Sequence, residues 1–312
     1  MVRCIYLFFV LMLGVSPICG ADLEFSLLQD EEWNPGKGYN PFSTRETVYG
    51  ISMTVLNSSA QKLDFFITVS RGNNNDPSYD RRATAGSEYL TYQGYSNKSA
   101  GASQILKEVP DLDTEDNTVI GARLKGGKTK TVLYYVQVPI NQYVNSDDYT
   151  DNLTFRLYKG AWTATPAGAD LMETKSIQLT IPVQKFLYLD AGVGNFGNTM
   201  TLEMGEVIAK ARQDFDLRVV SNTIYDVTAQ SANSGKLAHV NPVLTSTTDY
   251  EFYVNGALIN LSSGLAENMV VNEPLTTADG VTYTVRVAFP NTVPLMSQGN
   301  YNDQIVLTLT SQ

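Results

Sequence analysis

The residue types that most often carry catalysis are scarce in this sequence. It contains one histidine, His239, and two cysteines, Cys4 and Cys19, among 312 residues. A single histidine near a strand is more often structural than a catalytic base, and zinc clusters need several Cys or His ligands. The sequence therefore predicts no catalytic residues, no metal site and no cofactor, and it does not predict an enzyme.

Two acidic segments, Asp111–Asn117 and Asn145–Asp151, offer carboxylate oxygens of the kind that calcium prefers. Neither has the alternating Asp residues, the glycine and the downstream glutamate of a calcium-binding loop. The glycine-rich stretches "GKGYN" and "RLKGGK" do not lead into a helix, as a phosphate-binding loop requires. We interpret all of these segments as solvated turns.

Aromatic residues in the first half of the chain give the stronger indication of binding. Side chains of this kind at loop tips offer a large contact area at low entropic cost, and their faces suit sugars or apolar surfaces. The alternative is that the tyrosines pack inside the fold, and we favour it for Tyr89 and Tyr92. The candidate binding residues are Tyr39, Phe42, Tyr89, Tyr92, Tyr95 and Trp162.

The first 21 residues have the features of a secretory signal peptide. Arg3 precedes the apolar run Ile5–Leu13, and small residues before Ala21 offer a cleavage site. The apolar run is too short to span a bilayer, and no later segment is long and apolar enough. A lipid anchor on Cys19 is the alternative, although Ile18 fits it poorly. We expect export through the periplasm, and a mature chain without a transmembrane segment.

The charge of the chain excludes some partners. The formal net charge is −10, and loss of Arg3 with the leader makes it more negative. An acidic surface argues against nucleic acid or anionic lipid as the main partner. Both cysteines lie in the predicted leader, so we expect no disulfide in the mature chain.

Short runs of β-branched and aromatic residues, separated by clusters of Asn, Gly, Ser and Asp, indicate an all-β fold. The single helical candidate is Met204–Gln213. The pattern predicts two tandem immunoglobulin-like, pilin-like β-sandwich domains, because about 290 residues exceed the usual size of one domain.

An internal repeat supports two domains. Tyr134–Pro139 and Val285–Pro290 are alternating segments that end at proline, and each is followed by a Tyr-x-Asp step, at Tyr149 and at Tyr301. Further upstream, "YLTY" parallels "YEFY". We place an N-terminal domain at residues 22–185 and a C-terminal domain at 186–312, after a leader at 1–21.

The two repeats differ by one strand. In the N-terminal domain, Ile177, Leu179 and Ile181 alternate with polar residues after the Tyr-x-Asp strand, which predicts a further strand. The C-terminal domain shows no equivalent, and we expect it to lack its final strand. An open edge of this kind can be repaired by a strand donated from another chain.

The stretches "FDLRVVSNTIYDVTAQSANSGKL" and "GNYNDQIVLTLTSQ" resemble the Spore Coat Protein U domain family, the pilin-like subunits of archaic chaperone–usher fimbriae. Gly299, Tyr301 and Asp303 match the family's final strand residue by residue. The resemblance covers the C-terminal domain well, and it reaches the N-terminal domain through Tyr149 and Asp151.

The resemblance implies a fimbrial subunit that is held by a periplasmic chaperone and passed by an outer-membrane usher to an adjacent pilus subunit. The chain departs from stalk subunits because its predicted mature part has no cysteine pair, and because we read Leu23–Leu27 as the first strand of the N-terminal domain and not as a donor strand. A tip adhesin is then implied, with the N-terminal domain binding a host or abiotic surface and supporting biofilm formation. The predicted assembly strand contains Gly299, Tyr301, Asp303, Ile305, Leu307 and Leu309.

Two alternatives stay open. In the first, the chain is an internal structural subunit whose donor strand is Leu23–Leu27 with its flanks. In the second, it is a secreted carbohydrate-binding or hydrolytic β-sandwich protein, and hydrolysis would need two carboxylates about 5–10 Å apart across a cleft.

Overall fold

The computed structural model describes residues 22–29, 38–98, 104–112, 119–161, 169–192 and 199–312. Nearly all regular structure is β-strand, which confirms the predicted all-β class. Short 3₁₀ helices occupy Val109–Asp111 and Leu261–Ser263 among the described residues. The helical candidate Met204–Gln213 was wrong, because these residues form a loop that runs into a strand beginning at Arg212. The predicted leader lies outside the described residues.

The first part of the chain forms one sheet of nine strands, in the order β1-β2-β7-β5-β4-β8-β3-β6 with β9 paired to β8. Buried residues alternate along strands such as β2 and β6, so that one face of each packs into the interior, whereas the last five residues of β3 are all buried. The strands are β1 Leu23–Gln29, β2 Thr47–Asn57, β3 Leu63–Val69, β4 Arg81–Ala85, β5 Glu88–Tyr95, β6 Ile120–Leu124, β7 Lys128–Val138, β8 Asp148–Lys159 and β9 Asp170–Pro182.

The second part forms three sheets, in the orders β10-β11-β18-β15-β16, β17-β12-β20 and β14-β13-β19. The strands are β10 Leu187–Asp190, β11 Arg212–Ser221, β12 Tyr225–Ser231, β13 Lys236–His239, β14 Thr247–Asp249, β15 Glu251–Val254, β16 Ala257–Ile259, β17 Glu267–Glu273, β18 Val281–Ala288, β19 Tyr301–Asn302 and β20 Ile305–Ser311.

Each part has its own hydrophobic core. The buried residues of the first cluster run from Leu23 to Val183, and those of the second run from Leu217 to Phe289. Separate cores are what two independent domains would contain. The boundary between residues 185 and 186 remains a prediction, and the names N-terminal and C-terminal domain are kept for the two parts.

The strand orders of the two parts repeat each other. The row β1-β2-β7-β5 corresponds to β10-β11-β18-β15, and the row β6-β3-β8 corresponds to β17-β12-β20. The strand β9 interrupts this correspondence. It pairs with β8 along nearly its whole length, from Asp148 opposite Pro182 to Lys159 opposite Asp170. Within the described residues, no strand occupies the equivalent position beside β20.

Both strands predicted at the ends of the N-terminal domain are present. The strand β1 pairs antiparallel with β2, and its residues Leu23 and Phe25 are buried in the first core. The backbone N–H of Phe25 also donates to the Glu173 carboxylate on β9 (2.7 Å). In β9, Leu179 and Ile181 face the core and are fully buried. The first and last strands therefore close the N-terminal domain together.

Candidate functional site

The strand β20 has one paired side and one open side. At its two ends, Ala232 donates its N–H to the Gln304 carbonyl (2.9 Å), and Gln312 donates to the Ile224 carbonyl (3.0 Å). Hydrogen bonding alternates along an antiparallel pair, so the even-numbered residues of β20 face β12. The backbone groups of the odd-numbered residues therefore point to the side where no described strand pairs.

The inward side chains of β20 are incompletely covered. Ile305, Leu307 and Leu309 pack against the C-terminal core but are only half-buried. The corresponding residues of β8 are fully buried where β9 runs alongside: Leu153, Phe155 and Leu157. The same face of the same strand is thus covered in one domain and partly open to solvent in the other.

Asp303 fixes the beginning of β20. Its carboxylate accepts hydrogen bonds from the hydroxyls of Ser231 (2.5 Å) and Tyr250 (2.6 Å). It also accepts from the backbone N–H groups of Asn233 (3.0 Å) and Gln304 (2.8 Å). One side chain therefore ties the strand to the β12–β13 turn and to the segment before β15.

Asp151 plays the same part in the N-terminal domain. Its buried carboxylate accepts from the Tyr92 hydroxyl (2.5 Å) and from the N–H groups of Asn73 (2.7 Å) and Asn152 (2.8 Å). Burial raises the pKa of Asp151 above its ordinary value, although these hydrogen bonds and the charge of Arg81 act in the opposite direction.

This pair of networks corrects one detail of the predicted repeat. Aligning "YLTY" with "YEFY" pairs Tyr89 with Tyr250, whereas the structure gives Tyr92 and Tyr250 the same role as donors to the shared aspartate. Sequence similarity alone could not reveal this shift, because both four-residue segments begin and end with tyrosine.

Tyr301 and Tyr149 also make matching contacts. The Tyr301 hydroxyl donates to the carbonyl of Ser297, four residues earlier (2.8 Å), and lies 2.9 Å from the Ser246 hydroxyl. The Tyr149 hydroxyl lies 3.3 Å from the carbonyl of Asn145, again four residues earlier, and donates to a carboxylate oxygen of Glu88 (2.8 Å). The Tyr-x-Asp step therefore repeats as a three-dimensional unit and not only as a sequence pattern.

Gly299 and His239 are packed together beside this unit. Gly299 has φ 150°, and a Cβ there would lie 2.1 Å from His239 Nε2. The His239 ring meets the Tyr301 ring edge-on at 5.0 Å. The histidine thus supports the turn into β19.

We expect Gly299→Ala to lower the free energy of unfolding of the C-terminal domain by about 2–3 kcal/mol, since it adds a clash to a backbone strain of about 1–3 kcal/mol. Gly256→Ala is the control, because Gly256 also has a positive φ but its added Cβ would meet nothing within 4 Å. Urea denaturation compares the two variants. Equal losses would show that the His239 contact is not the cause.

Three candidate binding residues are not at the surface, which corrects the prediction that they lie at exposed loop tips. Tyr39 and Tyr92 are 0% and 1% exposed, and Tyr95 is 9% exposed. The Tyr39 hydroxyl donates to the Pro139 carbonyl (3.0 Å). For Tyr92 the structure agrees with the favoured alternative of packing inside the fold.

The remaining candidates have different surroundings. Tyr89 is 49% exposed, so the favoured alternative of packing inside the fold is wrong for this residue. The Arg82 guanidinium lies 4.6 Å from the centre of its ring. Phe42 packs edge-on against Phe186 (5.7 Å), so it contacts the second part of the chain instead of forming an isolated tip. Trp162 lies outside the described residues. Tyr89 is therefore the candidate with a ring open to a ligand, and binding by any of these residues remains a prediction.

Arg81 is a buried polar residue that the sequence analysis missed. Its side chain is fully buried and donates to the carbonyls of Ser70 (3.0 and 2.9 Å) and Leu106 (2.7 Å). It also lies 5.2 Å from the centre of the Tyr79 ring. A basic residue next to Arg82 at a strand start resembles a solvated position, so no local signal could have identified it.

In the described part of the chain, no three His, Cys, Asp or Glu residues are grouped as metal ligands, and residues 113–117 of the first acidic segment lie outside that part. The interpretation of the second segment as a solvated turn is wrong at its end, because Asp151 is buried in β8. Asp111 instead accepts hydrogen bonds from the Tyr79 hydroxyl (2.8 Å) and from the Arg71 guanidinium (2.6 Å), and both contacts lower the pKa of Asp111.

Among the described residues, no helix is long and apolar enough to cross a membrane.

The sequence that forms these strands and the repeated Tyr-x-Asp unit matches a known family in its first half. Residues 27–156 match the Spore Coat Protein U domain. The predicted family resemblance is confirmed for this region, which includes Tyr149 and Asp151. The match lies in the N-terminal part, whereas the sequence motifs indicated the closer resemblance in the C-terminal part.

Solved structures with a similar arrangement of strands include two chaperone complexes. One is the chaperone–tip adhesion subunit pre-assembly complex of archaic Csu pili from Acinetobacter baumannii, at 12% identity and TM-score 0.39, covering 85% of this chain and 91% of that chain. The other is a chaperone–tip adhesin complex of CFA/I fimbriae, at 13% identity and TM-score 0.33, covering 94% and 85%. No curated protein sequence matches the chain.

Proposed function

We propose that this protein is a subunit of a chaperone–usher fimbria, and that a strand from the adjacent subunit completes its C-terminal domain. The observation that carries this proposal is the open side of β20, with Ile305, Leu307 and Leu309 half-buried below it. A strand added there would bond the free backbone groups and cover the three side chains. The family match over residues 27–156 supports the same assignment.

The strand pairings of the N-terminal domain, which leave neither β8 nor β2 with an open side at these positions, support a position at the tip of the fibre. Its β9 already fills the position that is open beside β20, and its β1 is paired with β2. Because β1 is committed to the N-terminal core, the described residues offer no second strand at this end to donate, and a subunit that only accepts a strand would end the fibre. The N-terminal domain then meets a host or abiotic surface, with Tyr89 as its candidate contact, and promotes biofilm formation.

A tip subunit of this kind requires further partners before assembly. The open edge needs temporary cover by a periplasmic chaperone, and an outer-membrane usher exchanges that cover for the adjacent subunit. The predicted signal peptide over residues 1–21 agrees with passage through the periplasm to the cell surface.

Hydrogen exchange of the purified full chain tests the open edge. We expect the N–H groups of Ile305, Leu307 and Leu309 to exchange rapidly, and those of Val306 and Thr308 to be protected by β12. A peptide that copies β9 should protect the first group by tenfold or more. The control peptide carries serine in place of the alternating residues Ile177, Leu179 and Ile181. Protection of the odd-numbered amides before any peptide is added would contradict the proposal.

The alternative of an internal subunit makes a different prediction for β1. If β1 were a donor strand, Phe25→Ala would leave the stability of the domain unchanged and would weaken polymerisation. Because Phe25 is 3% exposed within the N-terminal core, we expect a loss of about 3–4 kcal/mol instead. Thermal unfolding of Phe25→Ala distinguishes a tip subunit from an internal subunit, and Glu24→Ala is the control because Glu24 is exposed.

A further inference from the structure

The loop between β7 and β8 carries contacts between the two parts of this chain. Phe42 packs against Tyr143 from this loop, with ring centres 5.9 Å apart, and against Phe186 from the second part, at 5.7 Å. The N–H of Ser146 in the same loop donates to the Asn222 carbonyl (3.1 Å). The loop is therefore half-buried where the second part of the chain follows.

The direction of β9 explains why the second part lies at this loop. Because β9 is antiparallel to β8, it ends at Pro182, opposite Asp148, where the loop joins β8. The next residue, Val183, donates its N–H to the Asp147 carbonyl (2.9 Å). The residues that follow a strand in the position of β9 therefore run directly along the loop.

The C-terminal domain has an equivalent loop between β18 and β19. Measured back from the matching tyrosines Tyr149 and Tyr301, Leu295 occupies the position that Tyr143 occupies in the N-terminal domain. Tyr143 is half-buried at the junction between the two parts, whereas Leu295 is 106% exposed. Leu295, the counterpart of Tyr143, is thus fully exposed to solvent.

Two further apolar side chains adjoin this loop. Val243 is 82% exposed and Leu244 is 39% exposed, in the segment that precedes Ser246. The Ser246 hydroxyl accepts from the Ser297 N–H (3.4 Å), and this contact connects the two loops. Val243, Leu244 and Leu295 are named the distal apolar surface. Exposed apolar side chains that share one surface can mark an interaction site.

We propose that the distal apolar surface binds the folded body of the subunit whose strand completes β20. The inference rests on the proposed function, and the chain's own junction supplies its geometry. A strand antiparallel to β20 would end beside the Tyr301 unit, as β9 ends beside Tyr149. Its own folded body would then follow within a few residues, against Leu295, as Phe186 follows β9.

This contact would attach the adjacent subunit to the chain at a second place, besides the strand that it donates to β20. The inserted strand alone leaves the neighbouring body free to rotate about its linker. Burial of three aliphatic side chains removes apolar area from water and selects one orientation. The joint between subunits would then resemble the junction inside this chain, where Phe42 and Phe186 meet.

Site-specific cross-linking tests the proposal in cells that assemble the fibre. The full chain carries photo-reactive p-benzoylphenylalanine in place of Leu295 or Val243, and the control carries it in place of Val271. Val271 is 47% exposed on β17, outside the two loops. Fibres are purified and irradiated, and the products are identified by mass spectrometry. We expect at least fivefold more product joined to the adjacent fibre subunit from the first two positions than from Val271.

The outcomes separate the two proposals. If the chain is present in the fibres but Leu295 gives no more product than Val271, the distal apolar surface is not a joint, and the fimbrial function stands. If the products join Leu295 to a protein other than a fibre subunit, the inference is likewise wrong. If the chain is absent from fibres made by the same cells, the proposed function and this inference fail together.

Discussion

A copy of β9, joined after Gln312 through a short Asn-Gly turn, is expected to stabilise the C-terminal domain strongly. The added strand would fold back antiparallel to β20, as β9 does on β8. Covering roughly 150–200 Å² of apolar surface contributes about 4–5 kcal/mol, before any gain from backbone hydrogen bonds. For a domain of this size, that free energy raises the melting temperature by on the order of 15 °C. Differential scanning calorimetry measures the change.

The control for this variant carries the same appended strand with serine at the copies of Ile177, Leu179 and Ile181. It keeps the length, the turn and the backbone groups but lacks the apolar face, so we expect little of the gain. An unchanged melting temperature with the intact appended strand would show that the edge of β20 is already satisfied. The assembly proposal would then lose its physical basis.

Replacement of Asp151 is expected to cause the largest loss of stability in the N-terminal domain. Asp151→Ala leaves the buried Tyr92 hydroxyl and the N–H groups of Asn73 and Asn152 without their acceptor. Loss of a buried, hydrogen-bonded carboxylate costs about 3–5 kcal/mol. Urea denaturation followed by far-UV circular dichroism measures the change.

Asp64→Ala is the matched control, because Asp64 pairs with Arg123 at the surface and such pairs contribute about 0–1 kcal/mol. We expect the loss for Asp303→Ala to fall between those of the two variants, since its carboxylate accepts four hydrogen bonds but lies in a more exposed turn. Similar losses for Asp151→Ala and Asp64→Ala would show that the Tyr-x-Asp unit does not hold the strand.

The strands were predictable because their signal is local. A half-buried strand alternates apolar and polar residues with a period of two, and Ile177, Leu179 and Ile181 show this directly. The repeated Tyr-x-Asp step was also visible, since each copy stands at the start of a strand. From these features the sequence indicated the all-β class, the correspondence of strands and the additional β9.

The surroundings of single side chains were much less predictable. Tyr92 and Tyr89 are three residues apart, yet one is buried against Asp151 and the other is half-exposed. Arg81 is buried because carbonyls of Ser70 and Leu106 converge on it, and neither is its neighbour in the sequence. Contacts of this kind depend on which strands become adjacent, and no short-range pattern encodes that choice.

Among the residues that the structure describes, β9 has no counterpart in the C-terminal domain, so the two domains would complete their folding at different times. If export through the inner membrane proceeds from the N-terminus, residues up to Pro182 emerge first, and they include every strand of the first core. That domain can reach its final structure while the rest of the chain is still in transit. Under the proposed assembly, the part of the chain that waits for a donated strand would then emerge last, joined to a domain that has already folded.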